Sequence, residues 1–140
     1  MKKANKSYRI IIDSNIWISF LIGENLKGVQ YLIDSQEIKI ITCDAQYYEL
    51  TEVFKKPKIK RYFSQEQVIE FFELLDESSE KYGITTKTNI CRDAKDNYLV
   101  SLAIDSKADY LLSGDKDLLV LKKIEETIVL KFSDFGKIFK

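Results

Sequence analysis

Two aspartates stand directly behind short apolar runs: Asp13 follows Ile10-Ile11-Ile12, and Asp115 follows Leu111-Leu112-Ser113-Gly114. If both runs are strands of one open parallel sheet, both carboxylates emerge at its carboxyl edge, where such sheets bind ligands. On neighbouring strands the two acids would come close, and two ionised carboxylates at short range must share a proton or a cation. Each also has a plainer use, as the N-cap of the helix that follows. Asp93 and Asp96 are three apart where a helix is predicted to begin and share one face of it. Asp93 suits the N-cap, and Asp96 suits the first turn, where the helix dipole favours an acid. Glu49 lies between Tyr48 and Leu50, a setting for a carboxylate at a buried margin, whereas Glu52 fits a solvated face. Taken together, Asp13, Glu49, Asp96 and Asp115 would form an all-oxygen pocket that selects a hard cation, Mg²⁺ or Mn²⁺. A metal of that kind polarises a phosphoryl oxygen and acidifies water. The chain has no histidine, which removes the Ser-His-Asp triad, the imidazole base and the His-bearing zinc site, and leaves any catalysis to be built from carboxylates, Lys, Tyr, Ser or a hard metal ion, of which a metal held by carboxylates would supply the hydroxide without an imidazole.

The elements that must position these residues follow from periodicity. Tyr8 to Ile12, Ile38 to Thr42, Asp109 to Ser113 and Ile128 to Leu130 read as short strands, with a weaker one at Ile84 to Thr86. Between them, helical spacing predicts helices over Ser14 to Ile22, around Leu26 to Ile33, and from an Asp44 cap to Phe54. Pro57 ends that last helix or begins a new turn. Ser64-Gln65-Glu66-Gln67 has the spacing of a capping box and opens a long helix ending before Gly83. Further helices are predicted over Lys95 to Ser106 and Asp115 to Leu121, and Ser133 would cap a helix at the tail. Strands that are continuous apolar runs, alternating with helices, indicate a parallel sheet covered on both faces. The predicted fold is α/β, a three-layer α/β/α sandwich with a central, mostly parallel sheet, formed by residues 1–140 as one domain.

The segments that carry the acids also resemble PIN domains, and more closely the bacterial subfamily of toxin components from toxin–antitoxin systems. The matching segments are Ile11-Ile12-Asp13-Ser14-Asn15, then Tyr48-Glu49-Leu50 with Val53-Phe54 and Lys56-Pro57-Lys58, then Cys91 to Leu99, and finally Ala108 to Leu119. They run in order over nearly the whole chain. The resemblance implies a Mg²⁺- or Mn²⁺-dependent ribonuclease on a Rossmann-like sheet, with its acidic quartet at Asp13, Glu49, Asp96 and Asp115. It also implies support from Asn15 and Ser113, with Asp93 and Asp117 as further acids able to join the ligand set. Trp17, Tyr98 and Ser113 depart from the usual residues of the family, and none of these departures removes an acid.

Composition bounds the rest. With 45% hydrophobic and 31% charged residues, one proline and five glycines, the chain has globular usage and excludes a disordered or collagen-like one. Two cysteines make no disulfide framework. The basic start is followed by too short an apolar stretch for a secretory signal, which predicts a cytoplasmic protein without a membrane role. Lys and Arg number 22 and Asp and Glu 22, so net charge advertises no nucleic acid, but the distribution is segregated. Lys55, Lys56, Lys58, Lys60 and Arg61 form a basic stripe suited to RNA phosphates, or else a solvated loop. Tyr47, Tyr48, Tyr62 and Phe63 offer stacking faces for unpaired bases, or else fill the core. Exposed apolar helix residues would serve a homodimer or an antitoxin segment, the helix from Ser64 being one place to look. The competing reading is a non-catalytic RNA- or protein-binding module on the same fold. A haloacid-type phosphatase is disfavoured by Asn15, which stands where that chemistry wants a second Asp.

Overall fold

The computed structural model describes residues 7–34, 36–88 and 96–139. Among these residues, six strands form one sheet: β1 (Tyr8–Ile12), β2 (Ile38–Thr42), β3 (Ser79–Lys81), β4 (Tyr110–Leu112), β5 (Lys123–Ile124) and β6 (Thr127–Leu130). Their spatial order is β3-β2-β1-β4-β6-β5. All pairings are parallel except that of β5 with β6. The chain therefore builds outward from β1 to β2 and β3, then returns to the other side of β1 to lay down β4. The strand order reverses between β1 and β4, and a doubly wound sheet opens a crevice at such a point.

Among the described residues, seven helices flank the sheet: α1 (Ser14–Asp34), α2 (Asp44–Phe54), α3 (Pro57–Lys60), α4 (Gln65–Ser78), α5 (Asn97–Ser106), α6 (Lys116–Leu119) and α7 (Phe132–Phe139). Side chains alternate across β1, and the burial follows. Ile10 and Ile12 join one apolar cluster with Trp17, Leu21, Leu50, Phe54, Phe71, Leu75 and Phe135, from α1, α2, α4 and α7. Ile11 joins a second with Ile41, Leu99, Leu102, Leu111 and Leu118, on the face covered by α5 and α6. Two cores flanking one sheet make three layers. Trp17 meets Phe71 edge to face at 5.4 Å, and Phe54 meets Phe71 and Phe72 in the same way. Truncating a fully buried aromatic here would cost about 3–5 kcal/mol.

Several elements differ from the sequence expectation. Helix α1 is continuous where two helices were expected, because its two glycines, Gly23 and Gly28, cost a helix only about 1 kcal/mol each and no proline interrupts it. The first residue of α2 is Asp44 itself, and Cys43 is its N-cap. Pro57 occupies the opening turn of α3, and Ser64 and Gln67 close a reciprocal capping box at α4. The strand expected at Ile84 to Thr86 is instead β3, three polar and charged residues at the sheet edge, a composition that discourages edge-to-edge pairing. Thr85 and Thr86 give their backbone N–H groups to the Asp105 carboxylate rather than to a ladder. Strand β5 had no sequence signal: its turn uses Glu125 at φ 50, without glycine. Ser133 lies inside the first turn of α7 rather than capping it.

Candidate active site

Three of the four expected acids leave the carboxyl edge of consecutive neighbours in the sheet. Asp13 follows β1, Glu49 sits in the second turn of the helix after β2, and Asp115 follows β4. The Asp13 backbone N–H continues the sheet by donating to the Leu112 carbonyl at 2.9 Å, which fixes Asp13 against the end of β4. Ser113 then bridges the two strands: its hydroxyl donates to Asp13 Oδ2 at 2.7 Å and accepts from the Asp115 N–H at 3.0 Å. Asp13 is 5% exposed. Burial pushes its carboxyl above the usual range, and the nearby charges of Glu49 and Asp115 push the same way, against the bonds from Ser113 and Asn15.

Asp115 does cap α6, its Oδ1 accepting from the Asp117 N–H at 2.8 Å. A carboxylate has two oxygens, so this use leaves the other for a ligand. Asp96, Asp115 and Asp117 each present one oxygen, and the three lie within 4.8 Å of one another. Asp96 stands at the N-cap of α5 without a side-chain cap bond. Asp117, expected only in a supporting part, thus stands beside Asp96 and Asp115, while Asp13 and Glu49 lie outside that group of three, Asp13 being linked to Asp115 through Ser113. Asn15 donates its backbone N–H to Asp13 Oδ1 at 3.3 Å. Asp93 lies outside the described residues.

Two positioning residues were not singled out from sequence. Gln46 is fully buried; its amide donates to the Ile12 carbonyl at 2.5 Å and accepts from Thr42 Oγ1 at 2.7 Å. It ties α2 to the ends of β1 and β2 and so sets where Glu49 stands. Its signal was a polar residue in the buried stripe Gln46, Leu50, Phe54 of α2. Tyr98, which had counted only as a departure from the family pattern, donates its phenol to Glu49 Oε1 and lies 3.3 Å from Ser14 Oγ. Burial and the Glu49 bond hold that phenol far above its ordinary pKa, so it remains a donor.

Residues 9–117 match the PIN domain family. The chain belongs to that family. The uncharacterized protein MJ1680 of Methanocaldococcus jannaschii is 30% identical over 138 residues, covering 96% of this chain and 87% of the relative. Two crystal structures share the fold. PAE2754 from Pyrobaculum aerophilum superposes with a TM-score of 0.56 at 13% identity, covering 95% of this chain and 97% of that one. VapBC2 from Rickettsia felis, bound to a DNA fragment from their promoter, gives 0.53 at 17% identity, over 86% of this chain and 96% of that one. In this PIN domain the acids stand at the reversal point of the sheet.

The basic stripe divides. Lys55 turns to Glu52 at 3.3 Å, and Arg61 lies over the Tyr62 ring. Lys58 and Lys60 are exposed on α3. Lys56 alone of the five lines the groove that contains Glu49 and Tyr98. Among the aromatic candidates, Tyr47 stacks on Phe72 and Phe63 packs against Phe54, so both serve the core, whereas Tyr48 and Tyr62 are exposed. Among the described residues, no helix is long and apolar enough to cross a membrane.

The donor set fits a divalent cation. Its acids offer only oxygen, their charges crowd one another, and Asp13 is ionised there only at a cost that a cation would remove. Hard oxygen ligands match Mg²⁺ or Mn²⁺ in preference to zinc.

Proposed function

We propose that the chain is a Mg²⁺- or Mn²⁺-dependent endoribonuclease acting on single-stranded or structured RNA, and the toxin of a toxin–antitoxin pair. The observation that carries this reading is the cluster of Asp96, Asp115 and Asp117 oxygens within 4.8 Å of one another, with the buried Asp13 tied to Asp115 through Ser113, at the reversal point of a parallel sheet. Asp13, Glu49, Asp96 and Asp115 would hold the metal, with Asp117 able to share in it. The chemistry supplied there is Lewis-acid polarisation of a phosphoryl oxygen and acidification of water. The chain's own part is to hold the carboxylates against their repulsion. Ser113 and the Asn15 N–H satisfy Asp13, Tyr98 orients Glu49, and the α6 backbone orients Asp115. Lys56, which lines the groove with Glu49, would bring an RNA phosphate to the acids and offset their charge.

The toxin assignment draws on the family and on the shared fold with VapBC2. Exposed Ile22 on α1, Tyr62 after α3 and Ile69 on α4 offer apolar surface to an antitoxin segment or to a second copy in a homodimer. One domain over residues 1–140, in the cytoplasm, completes the reading.

The test is hydrolysis of a labelled single-stranded RNA with Mn²⁺, with EDTA, and by Asp13→Asn. Metal-dependent cleavage that the substitution abolishes supports the enzyme. No cleavage with any divalent metal, alongside retained RNA binding, would replace it with the binding module.

A further inference from the structure

Beside its buried stripe of Gln46, Leu50 and Phe54, α2 carries a second stripe that is mostly exposed or half-buried. Ala45, Tyr48, Glu49, Glu52 and Val53, followed by Lys56, recur at helical spacing and line an open groove of ≈ 710 Å³ whose far side includes Tyr98. The groove runs into the acidic site, because Glu49 and Tyr98 belong to both. Tyr48 is 70% exposed, and its ring pairs with no other aromatic among the described residues. A large flat ring held in water beside a candidate catalytic carboxylate does nothing for the core. The charges of the groove are also sorted. Asp44 is matched by Lys81 at 3.3 Å and Glu52 by Lys55 at 3.3 Å. Lys56 has no acidic partner among the described residues, which leaves one cation free at the end of the groove away from Asp44.

We propose that this groove seats one unpaired nucleotide next to the scissile bond, its base stacked on the Tyr48 ring and its phosphate held by Lys56. The inference rests on the nuclease reading above and deepens it by naming what the enzyme grips. A ring and a single cation recognise a base face and a phosphate, neither of which encodes sequence, so the site selects for strandedness. In a duplex both faces of the base are covered by its neighbours, and the ring has nothing to stack on. The sugar is not addressed, so RNA and DNA single strands engage the groove alike and any preference for RNA arises elsewhere.

The experiment uses the full chain with Asp13→Asn, which binds without cutting, and fluorescence anisotropy of labelled eight-nucleotide RNA, its DNA equivalent and the matching RNA duplex. Added Tyr48→Ala weakens both single strands by roughly five- to a hundredfold and leaves the duplex unchanged, whereas Tyr48→Phe stays within about twofold of the parent. Lys56→Gln weakens all three and lowers the salt slope by about one phosphate contact. The exposure of Tyr48 makes its variants safe for folding, which their melting temperatures verify. Unchanged single-strand binding by Tyr48→Ala, or an equal loss on the duplex, overturns the groove even if the wild type cleaves RNA. Conversely, if the wild type fails to cleave with any divalent metal while binding remains dependent on Tyr48, the nuclease reading falls and the groove stands.

Discussion

Asp13 meets two opposing demands, since it is buried like a core residue and yet lies among other acids. The conflict has a measurable sign. Its folded-state pKa is raised, first by burial and then by Glu49 and Asp115. Its contribution to the metal-free protein is therefore fully present below the unfolded value of about 3.9 and is lost as pH rises through the folded pKa. Asp13→Asn removes that loss. In EDTA at neutral pH the variant should melt at or above the wild-type temperature, although the wild type should overtake it once Mg²⁺ or Mn²⁺ is added. A variant that melts well below the wild type in EDTA would show that the ionised carboxylate is a structural asset rather than a cost. Tyr98 offers a subtler test. Tyr98→Phe keeps the ring and deletes the hydroxyl that holds Glu49 and meets Ser14. Orienting partners of metal ligands are commonly worth 10–100-fold in affinity or activity, so Mn²⁺ affinity by calorimetry should fall about tenfold with the fold intact. Unchanged affinity would reduce Tyr98 to packing.

At the scale of elements, α5 illustrates how a helix can secure a segment that has no regular structure. Asp105 accepts from the N–H groups of Thr85 and Thr86 at 2.7 and 3.0 Å and from the Thr86 hydroxyl. These bonds, led by the Thr86 hydroxyl, hold the Asp105 carboxyl below the usual range. A depressed acid contributes stability above its unfolded pKa and loses it as pH falls through the folded value. The stability difference between wild type and Asp105→Asn, measured by urea denaturation, should thus shrink below about pH 4. A difference constant from pH 7 to pH 3 would contradict this account. The same region shows the limit of reading from sequence. Tyr8 to Ile12 and Ile38 to Thr42 are legible as strands because continuous β-branched runs are buried on both faces of a parallel sheet. Ser79 to Lys81 is not, because its order comes from pairing with β2 and its side chains carry no apolar pattern. Strand β5 is hidden for a similar reason, being two residues long and held by β6. Asp13 and Asp115 were legible because a strand end followed by an acid is a local signal. The roles of Gln46 and Tyr98 were not, since each acts through a contact distant in sequence: Ile12 for one and Glu49 for the other.

At the scale of the whole molecule, the strand order assembles the site. Placing β4 beside β1 rather than beyond β3 brings residues 100 positions apart into the Ser113–Asp13 bond. A sheet order that separated β1 from β4 would break the Ser113–Asp13 bond and leave Asp13 and Asp115 as separate acids at the starts of α1 and α6. Because the assembled acids exist only in the folded state, a cation bound there stabilises it by mass action, by about 2.7 kcal/mol at a hundred times the dissociation constant. For a chain of this size that is a rise of several degrees in melting temperature. The neutral total charge, 22 basic against 22 acidic residues, gives little long-range attraction for RNA, so the salt dependence of binding should be shallow, with Lys56 the one basic residue lining the groove. The most direct measurement is an anomalous difference map from crystals grown with Mn²⁺. The account predicts a peak coordinated by oxygens of Asp13, Glu49, Asp96 and Asp115, with Asp117 alongside, that vanishes in Asp13→Asn. A map with no peak among these acids at millimolar Mn²⁺, or with manganese only at unrelated surface carboxylates, would contradict it.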